Sequence, residues 1–493
     1  MKTRAVAVLD VGKTNKKIRL YDRRFQPLAE ERTGFDARMK DGLEIEPTEE
    51  LLAWFKKAMA GLGKTYDIRA IVVCAHGATL AMLDANGKLA YPVISYTSEK
   101  GAEIEQEFYD TFGAPEELHY DTCTPNVGFA NCGKALFYVF KRMPEVWDKV
   151  DTVLFYNSYL GYELTGNYSM EPTYLGNHNY LWNFFDGTWS QVAIRMGAHT
   201  RFPDKMGNPW DSLGTVKPEL AKACNLPEDC LVTLGIHDSN ANFLPYLAKG
   251  YEKFILNSTG TWCVLMSQAP TPILTETEVK SKVFYNLDAF NRPLKTVIFP
   301  GGMEYEKFGA LTSVKDESSV DGVRKVIAER RTFVVPGVMP AASAFPGVDA
   351  KVVAGGEVRL YEELEAAGGE PYSYLGQEYY AALNVSLALA TRQLLERCGG
   401  EKGTAVFIEG GFANNKRYCE LLAALCPDYT IALTNQAEGT AFGAALTAWM
   451  LADGLDLTSI GKEFEIETTP ITPPDFGDLR GYWQAFKGHL QNE

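Results

Sequence analysis

The chain has 493 residues, 46% of them hydrophobic and 12% aromatic, enough for two or three domains with buried cores. Its formal net charge of −15 excludes an extended nucleic-acid surface and a polybasic membrane patch, while leaving room for a small basic pocket around phosphates. The nine cysteines form no CxxC pair, which fits reduced thiols in a cytoplasmic protein better than a disulfide framework or a zinc site.

The first predicted elements lie in AVAVLDVGKTNKKIRLYD. Its apolar part, Ala5 to Leu9, is too short for the core of a signal peptide and reads as a strand; no later apolar run is long enough to span a membrane. Gly12-Lys13-Thr14 ends like a P-loop, but Ala7 stands where that motif needs its first glycine. The IRLYD that follows alternates apolar residues and predicts a second strand, not the helix a P-loop requires. A hairpin turn can still hold phosphate. Gly12 lets the backbone come close, successive N–H groups form an anion nest, Thr14 and Asn15 donate hydrogen bonds, and Lys13 or Lys16 adds positive charge. Asp10, at the end of the first strand, is suited to hold Mg²⁺ through water. An ordinary hairpin would read the same from this stretch alone.

Residues 71–75 predict a buried strand, His76-Gly77 a turn, Leu80 to Leu83 a second strand, and Asn86-Gly87 a hairpin. His76 can hydrogen-bond a substrate hydroxyl. Helices are expected over 99–112 and 133–143, then a strand and a short helix closed by Gly166. Residues 170–215, rich in Tyr, Trp, Asn and Gly, predict loops and the wall of a pocket, with Tyr180 and Trp182 as candidates to stack on a sugar. His119, His199 and His489 sit outside any constellation and read as surface residues. In LVTLGIHDSNANFLPYLAKG, a strand from Leu231 to Leu234 and a turn at Gly235 lead to His237-Asp238 at the start of a helix. Asp238 serves there either as the helix N-cap or as the carboxylate that accepts a proton from an attacking alcohol. The domain boundary is predicted just beyond, giving domains 1–247 and 248–493.

The second half repeats the opening of the first. GYEKFILNSTGTWCVLMSQ predicts a strand at Phe254 to Leu256, a turn over Asn257 to Thr261 and a strand at Trp262 to Met266. Two half-chains that each begin with a hydroxyl- and glycine-bearing hairpin predict two similar domains facing one another, with a nucleotide's phosphates between them. A long helix is expected over 377–398. After it, the strand AVFIE runs into Gly410-Gly411, where glycines allow a purine or phosphate close to the backbone and Asn414 or Asn415 can bond a base. Residues 438–454 predict a helix of small residues that can pack closely beneath a ligand.

In order and spacing, LDVGKTNKK, GIHDSNA, NSTGTW, IEGGFANN and EGTAFGAAL resemble the motifs of the FGGY carbohydrate kinases, nearest to the rhamnulokinase- and fuculokinase-like branch, over nearly the whole chain. The resemblance implies an α/β fold of two ribonuclease H-like domains, the actin-like ATPase superfold, with a cleft between them. It implies transfer of the γ-phosphate of ATP, with Mg²⁺, to a hydroxyl of a small-molecule ketose, with L-rhamnulose or L-fuculose as the favoured class. It makes Asp238 the proton acceptor, puts Asp10, Gly12, Lys13, Thr14, Asn15, Lys16, Lys17, Gly260 and Thr261 around the phosphates and metal, and puts Gly301, Gly302, Gly410, Gly411 and Asn415 near the nucleotide. His76, Gly77 and His237 fall at the sugar. Two departures, Tyr96-Thr97-Ser98 for a Trp-x-Asp motif and Met170-Glu171 for a Thr-Asp pair, fall near the sugar and leave its identity open. Dimers and tetramers are common in the family, so a homodimer is admitted. Two rivals share the superfold: a non-kinase ATPase and a sugar-binding regulator without catalysis.

Overall fold

The computed structural model describes residues 2–436 and 439–490. The first half is built on one seven-stranded sheet. Strand β1 (Thr3–Val11) turns into antiparallel β2 (Asn15–Tyr21), and β3 (Pro27–Gly34) continues outward. On the other side of β1 lies β4 (Tyr66–Ala75), in parallel. β5 (Ser212–Thr215) closes the far edge against β6 (Leu231–Thr233), and β6 and the short β7 (Ile236–His237) both run parallel to β4. Helix α1 (Asp238–Ala248) follows directly.

The apolar run of β1 is explained by burial on both faces. Ala5, Ala7 and Leu9 join one core with Leu51, Phe55 and Met59 of the helix Thr48–Thr65. Val6 and Val8, on the opposite face by the period of two, join a different core that both halves share.

The second half repeats the plan. β8 (Phe254–Thr259) turns into β9 (Cys263–Gln268); β10 (Phe284–Leu287) and β11 (Pro293–Phe299) extend that side, antiparallel. Helix α2 (Gly301–Gly309) and the long α3 (Gln377–Arg397) precede β12 (Ala405–Gly410), which is parallel to β8. Then come α4 (Lys416–Leu425), β13 (Thr430–Thr434), α5 (Gly439–Asp453) and the edge strand β14 (Thr468–Pro470). Each sheet thus holds an antiparallel hairpin whose first strand has a parallel neighbour, the two-domain fold of the actin-like ATPase superfold. The predicted turn at Asn257 to Thr261 is shorter than expected. Asn257, Ser258 and Thr259 remain in β8, paired with Leu265, Val264 and Cys263.

The halves meet through α1 and α5, which cross at van der Waals distance. A Cβ on Gly443 would stand 1.7 Å from the carbonyl of Ala241. That carbonyl is free because Pro245, one turn on, has no N–H to give it. The small-residue helix therefore seats against α1 and the first sheet. Glu438, expected at its head, lies outside the described residues. Arg4 and Arg23 each pair with Asp453 at 2.6 Å and lie over Trp449, fixing the far end of α5. Among the described residues no helix is long and apolar enough to cross a membrane.

Two expectations about single residues fail because of contacts distant in sequence. His119 is not at the surface. It is 3% exposed, its Nε2 bonds the carbonyl of Val283 at 2.7 Å, and burial pushes it down to about 4. Tyr180 is wholly buried, with its hydroxyl on that of Tyr109, and cannot stack on a sugar. Trp182 is half-buried against Trp189.

Candidate functional site

Three parallel strands of the first sheet end together, and their last residues carry the chemistry. Cys74 of β4 is in register with Asp10 of β1 on one side and Ile236 of β7 on the other. One residue later Ala75 faces Val11 and His237. Beyond that line come Gly12, His76 and Asp238, at the carboxyl edge where α/β sheets bind ligands. Burial pushes the Cys74 thiol well up, and the charges of Asp10, Asp238 and Glu171 push it further, so the two aspartates flank this strand end.

Asp238 is the first residue of α1; the N-cap position falls to His237. Its Oδ1 accepts from the N–H of Ser239 at 2.6 Å and faces His237 Nε2 at 3.1 Å. The side chain is 32% exposed, so it is held yet reachable. His237 is fixed in turn: its Nδ1 bonds Asn240 Oδ1 at 2.9 Å, while Asn240 Nδ2 donates to the Leu287 carbonyl at 2.7 Å. The His237 N–H donates to Thr173 Oγ1 at 2.9 Å, and Thr173 donates its hydroxyl to Glu171. Glu171 is wholly buried, and burial pushes it up to about 7 against four hydrogen bonds. Met170-Glu171, the second departure, is thus a buried brace for the His237 segment.

His76 and Gly77 close the pocket from β4. A Cβ on Gly77 would strike Asn177 Nδ2 at 1.8 Å and His237 Nε2 at 2.8 Å, so glycine is required. Neither polar atom of the buried Asn177 amide has a partner, and neither does His76 Nε2. Such orphans are costly and mark a place where a polar ligand fits. Asn177 was legible only as part of an asparagine-rich wall. His178, with φ of 30° and burial pushing it down to about 4, lies beside it and carried no signal of its own.

The lysines of the first turn depart from expectation. Lys16 is 1% exposed and its ammonium donates to the Lys13 carbonyl at 2.6 Å, so it braces the turn from inside instead of meeting a phosphate. Lys13 reaches away from the turn to Glu44 Oε1 at 2.9 Å, Glu46 Oε1 at 2.8 Å and the Ser95 hydroxyl, over the ring of Tyr96. Thr14 and Asn15 are exposed at the tip, and Lys17 is half-buried opposite Asp10.

In the second half a cleft of about 740 Å³ is lined by Gly260, Thr261, Gly302, Gly411 and Asn415, with Tyr305, Asn414 and Arg417 among the others. Glycines build it by contact. A Cβ on Gly302 would stand 2.1 Å from the Gly260 carbonyl, one on Gly410 1.9 Å from the Thr259 carbonyl, and one on Gly301 2.6 Å from Cys263 Sγ. Gly410 also has φ of 82°. Thr259 ties the two loops: its hydroxyl donates to the Glu409 carbonyl and accepts the Phe412 N–H at 2.9 Å. Asn415 has little left for a base, since Oδ1 caps α4 at Tyr418 N and Nδ2 donates to Asn384. Asn414 is the exposed amide of the pair.

Residues 5–244 match the model of the FGGY family of carbohydrate kinases, N-terminal domain, and residues 251–456 match that of the carbohydrate kinase FGGY C-terminal domain. L-fuculokinase of Salmonella typhi is 24% identical over 91% of this chain and 93% of its own. The crystal structure of a carbohydrate kinase from Novosphingobium aromaticivorans, 26% identical, covers 99% of both chains at a TM-score of 0.80. A ligand-bound xylulose kinase from Lactobacillus acidophilus shares the fold at 17% identity and a TM-score of 0.78, over 99% of this chain and 97% of that one. With both domains matched in order along a chain whose two sheets repeat one topology, this protein belongs to the FGGY family of carbohydrate kinases and is an ATP-dependent sugar phosphotransferase.

Proposed function

We propose that this kinase phosphorylates a ketose, with Asp238 as the proton acceptor and the two hairpin turns around the phosphates of ATP. The observation that carries the reading is the meeting of Asp10, His76 and Asp238 at the ends of three parallel strands, matched in the other half by a glycine-built cleft. The acceptor sits among His76, Gly77, Asn177 and His237, and would satisfy the unpartnered polar atoms of His76 and Asn177. Asp238 takes the proton of the hydroxyl as that oxygen attacks the γ-phosphorus, and ADP leaves. Backbone N–H groups of both turns, with the exposed hydroxyls of Thr14 and Thr261, line the phosphates without needing to reorganise. Asp10 fits a magnesium ion: a carboxylate at the strand end where the first turn begins would hold a cation that keeps most of its waters and would neutralise charge on the transferring group. Nine buried free cysteines accord with action in the cytoplasm.

The L-fuculokinase relatives favour L-fuculose or a deoxyketose like it. ADP release with Mg·ATP, scanned over L-fuculose, L-rhamnulose, L-ribulose, D-xylulose, D-ribulose, erythrulose and glycerol, tests this. Strong stimulation by a deoxyketose is expected. Stimulation by glycerol alone overturns the ketose reading, and steady ADP release indifferent to every acceptor favours an ATPase.

A further inference from the structure

The cluster around Lys13 is absorbed neither by the phosphate turns nor by the proton acceptor. Three segments build it: the first turn, the strand Leu43–Ile45 with Glu46 after it, and the loop at Ser95 to Thr97. The Lys13 ammonium has three N–H donors, and Glu44, Glu46 and Ser95 take all three. It is therefore a strut with nothing left for a phosphate. What it holds is Glu46, whose side chain is 1% exposed. Burial raises the Glu46 carboxyl, but its ion pair and hydrogen bond with the Lys13 ammonium at 2.8 Å oppose burial and keep it ionised. With Oε1 on Lys13, its Oε2 points at His76 Nε2, 4.0 Å away.

The tautomer of His76 decides what fits between them. Its Nδ1 lies 3.1 Å from the Gly77 carbonyl, an acceptor only, so Nδ1 carries the proton. Burial pushes the ring below its ordinary value, against the Glu46 charge, and keeps it neutral, so Nε2 offers a lone pair. Two acceptors then face each other across a gap that one hydroxyl proton cannot satisfy. Two hydroxyls on neighbouring carbons can, one donating to each.

We infer that Glu46, positioned by Lys13, is a specificity-determining residue of the acceptor pocket and selects an uncharged polyhydroxylated acceptor that brings two adjacent hydroxyl donors, against one bearing a carboxylate. This rests on reading the pocket at His76 and Asp238 as the acceptor site. The charges agree: Glu46 and Asp238 both act on His76 by charge, and Lys13 is already spent on Glu44 and Glu46. A carboxylate would enter with no free cation among these groups to meet it.

The test is equilibrium binding by calorimetry without nucleotide, so that it does not depend on phosphate transfer. L-fuculose, D-xylulose and D-gluconate are titrated into wild type, Glu46→Gln and Lys13→Met, with thermal melting to verify folding and a non-hydrolysable ATP analogue titrated separately. Wild type is expected to bind a neutral ketose and reject gluconate. Glu46→Gln should weaken the ketose at least tenfold and narrow the gap to gluconate. Lys13→Met should weaken the ketose while keeping affinity for the ATP analogue within about twofold. Unchanged ketose binding in both variants, gluconate bound by wild type as tightly as the ketoses, no ketose binding at all, or a loss confined to the ATP analogue in Lys13→Met would each overturn the inference. Ketose binding that depends on Glu46 without any ketose phosphorylation would leave it standing and defeat the proposed reaction instead.

Discussion

The two hairpin turns occupy equivalent positions in two sheets of one topology, yet they are held by different physics. The first is braced by charge: Lys16 is buried beneath it on the Lys13 carbonyl, and Lys13 spans out to two glutamates. The second is braced by contact: Gly302 and Gly410 lie where any Cβ would strike the backbone of Gly260 or Thr259, and one threonine hydroxyl stitches the loops. Near the second turn the buried carboxyls include Glu304 on α2 and Glu409 of β12, where the first turn has a buried lysine. On the proposed reading the same scaffold position serves two tasks: the polar, charge-tied turn borders the acceptor, and the smooth glycine-built turn leaves room for the nucleotide.

The largest expected effect lies next to the first turn. Asp238→Asn should keep the fold and ligand binding but lower kcat by on the order of 10²- to 10⁴-fold, the share of a positioned general base. Activity near wild type in a kinetic assay would remove Asp238 from that role. Next is Gly302→Ala. Its Cβ meets a carbonyl, which cannot yield as a flexible side chain would, so the start of α2 must move by a cost of about 1–3 kcal/mol. We expect affinity for an ATP analogue to fall at least tenfold while ketose binding holds; equal losses of both would blur the division between the turns.

Glu304→Gln probes a buried carboxyl near the second turn. Burial pushes Glu304 up to about 7 from an ordinary 4.5. The folded chain keeps a proton there that the unfolded chain releases, so the stabilisation is complete below 4.5 and is lost as pH rises through 7. The ceiling is about 3 kcal/mol, and relaxation of the site will reduce it. Urea unfolding at pH 5 and pH 8 should show the variant losing less stability across that interval than wild type; identical losses would contradict the assignment. The smallest effect is Thr259→Val, nearly isosteric. Losing a hydrogen bond at each of two loops costs about 1–2 kcal/mol, and the KM for ATP should rise several-fold with the KM for the ketose unmoved.

Features fixed by local sequence were legible. Strand, turn and strand at Asp10 to Tyr21, and Asp238 at a helix start after a strand, follow from patterns a few residues long. The repeated hairpin in the second half revealed the two-domain plan. Features fixed by distant partners were not. Lys13 read as a phosphate ligand because its neighbours are a glycine and a threonine, but its partners lie 31, 33 and 82 residues away. Glu46 had no motif around it, and Asn177 was one asparagine among several. His119 read as a surface residue until Val283, 164 residues on, covered it. Asn415 lines the cleft where the sequence puts it, but as an asparagine before a helix it also caps α4, and that local use competes with a ligand.

The central claim is that the two turns serve one reaction, a direct transfer from nucleotide to sugar. The most direct measurement is to quantify ADP and sugar phosphate in the same quenched samples of wild type with Mg·ATP and the best ketose from the scan. The account predicts one sugar phosphate for every ADP from the first turnover onward. ADP accumulating without sugar phosphate would mean that water, not the acceptor held at His76 and Asp238, receives the phosphoryl group, and would contradict it.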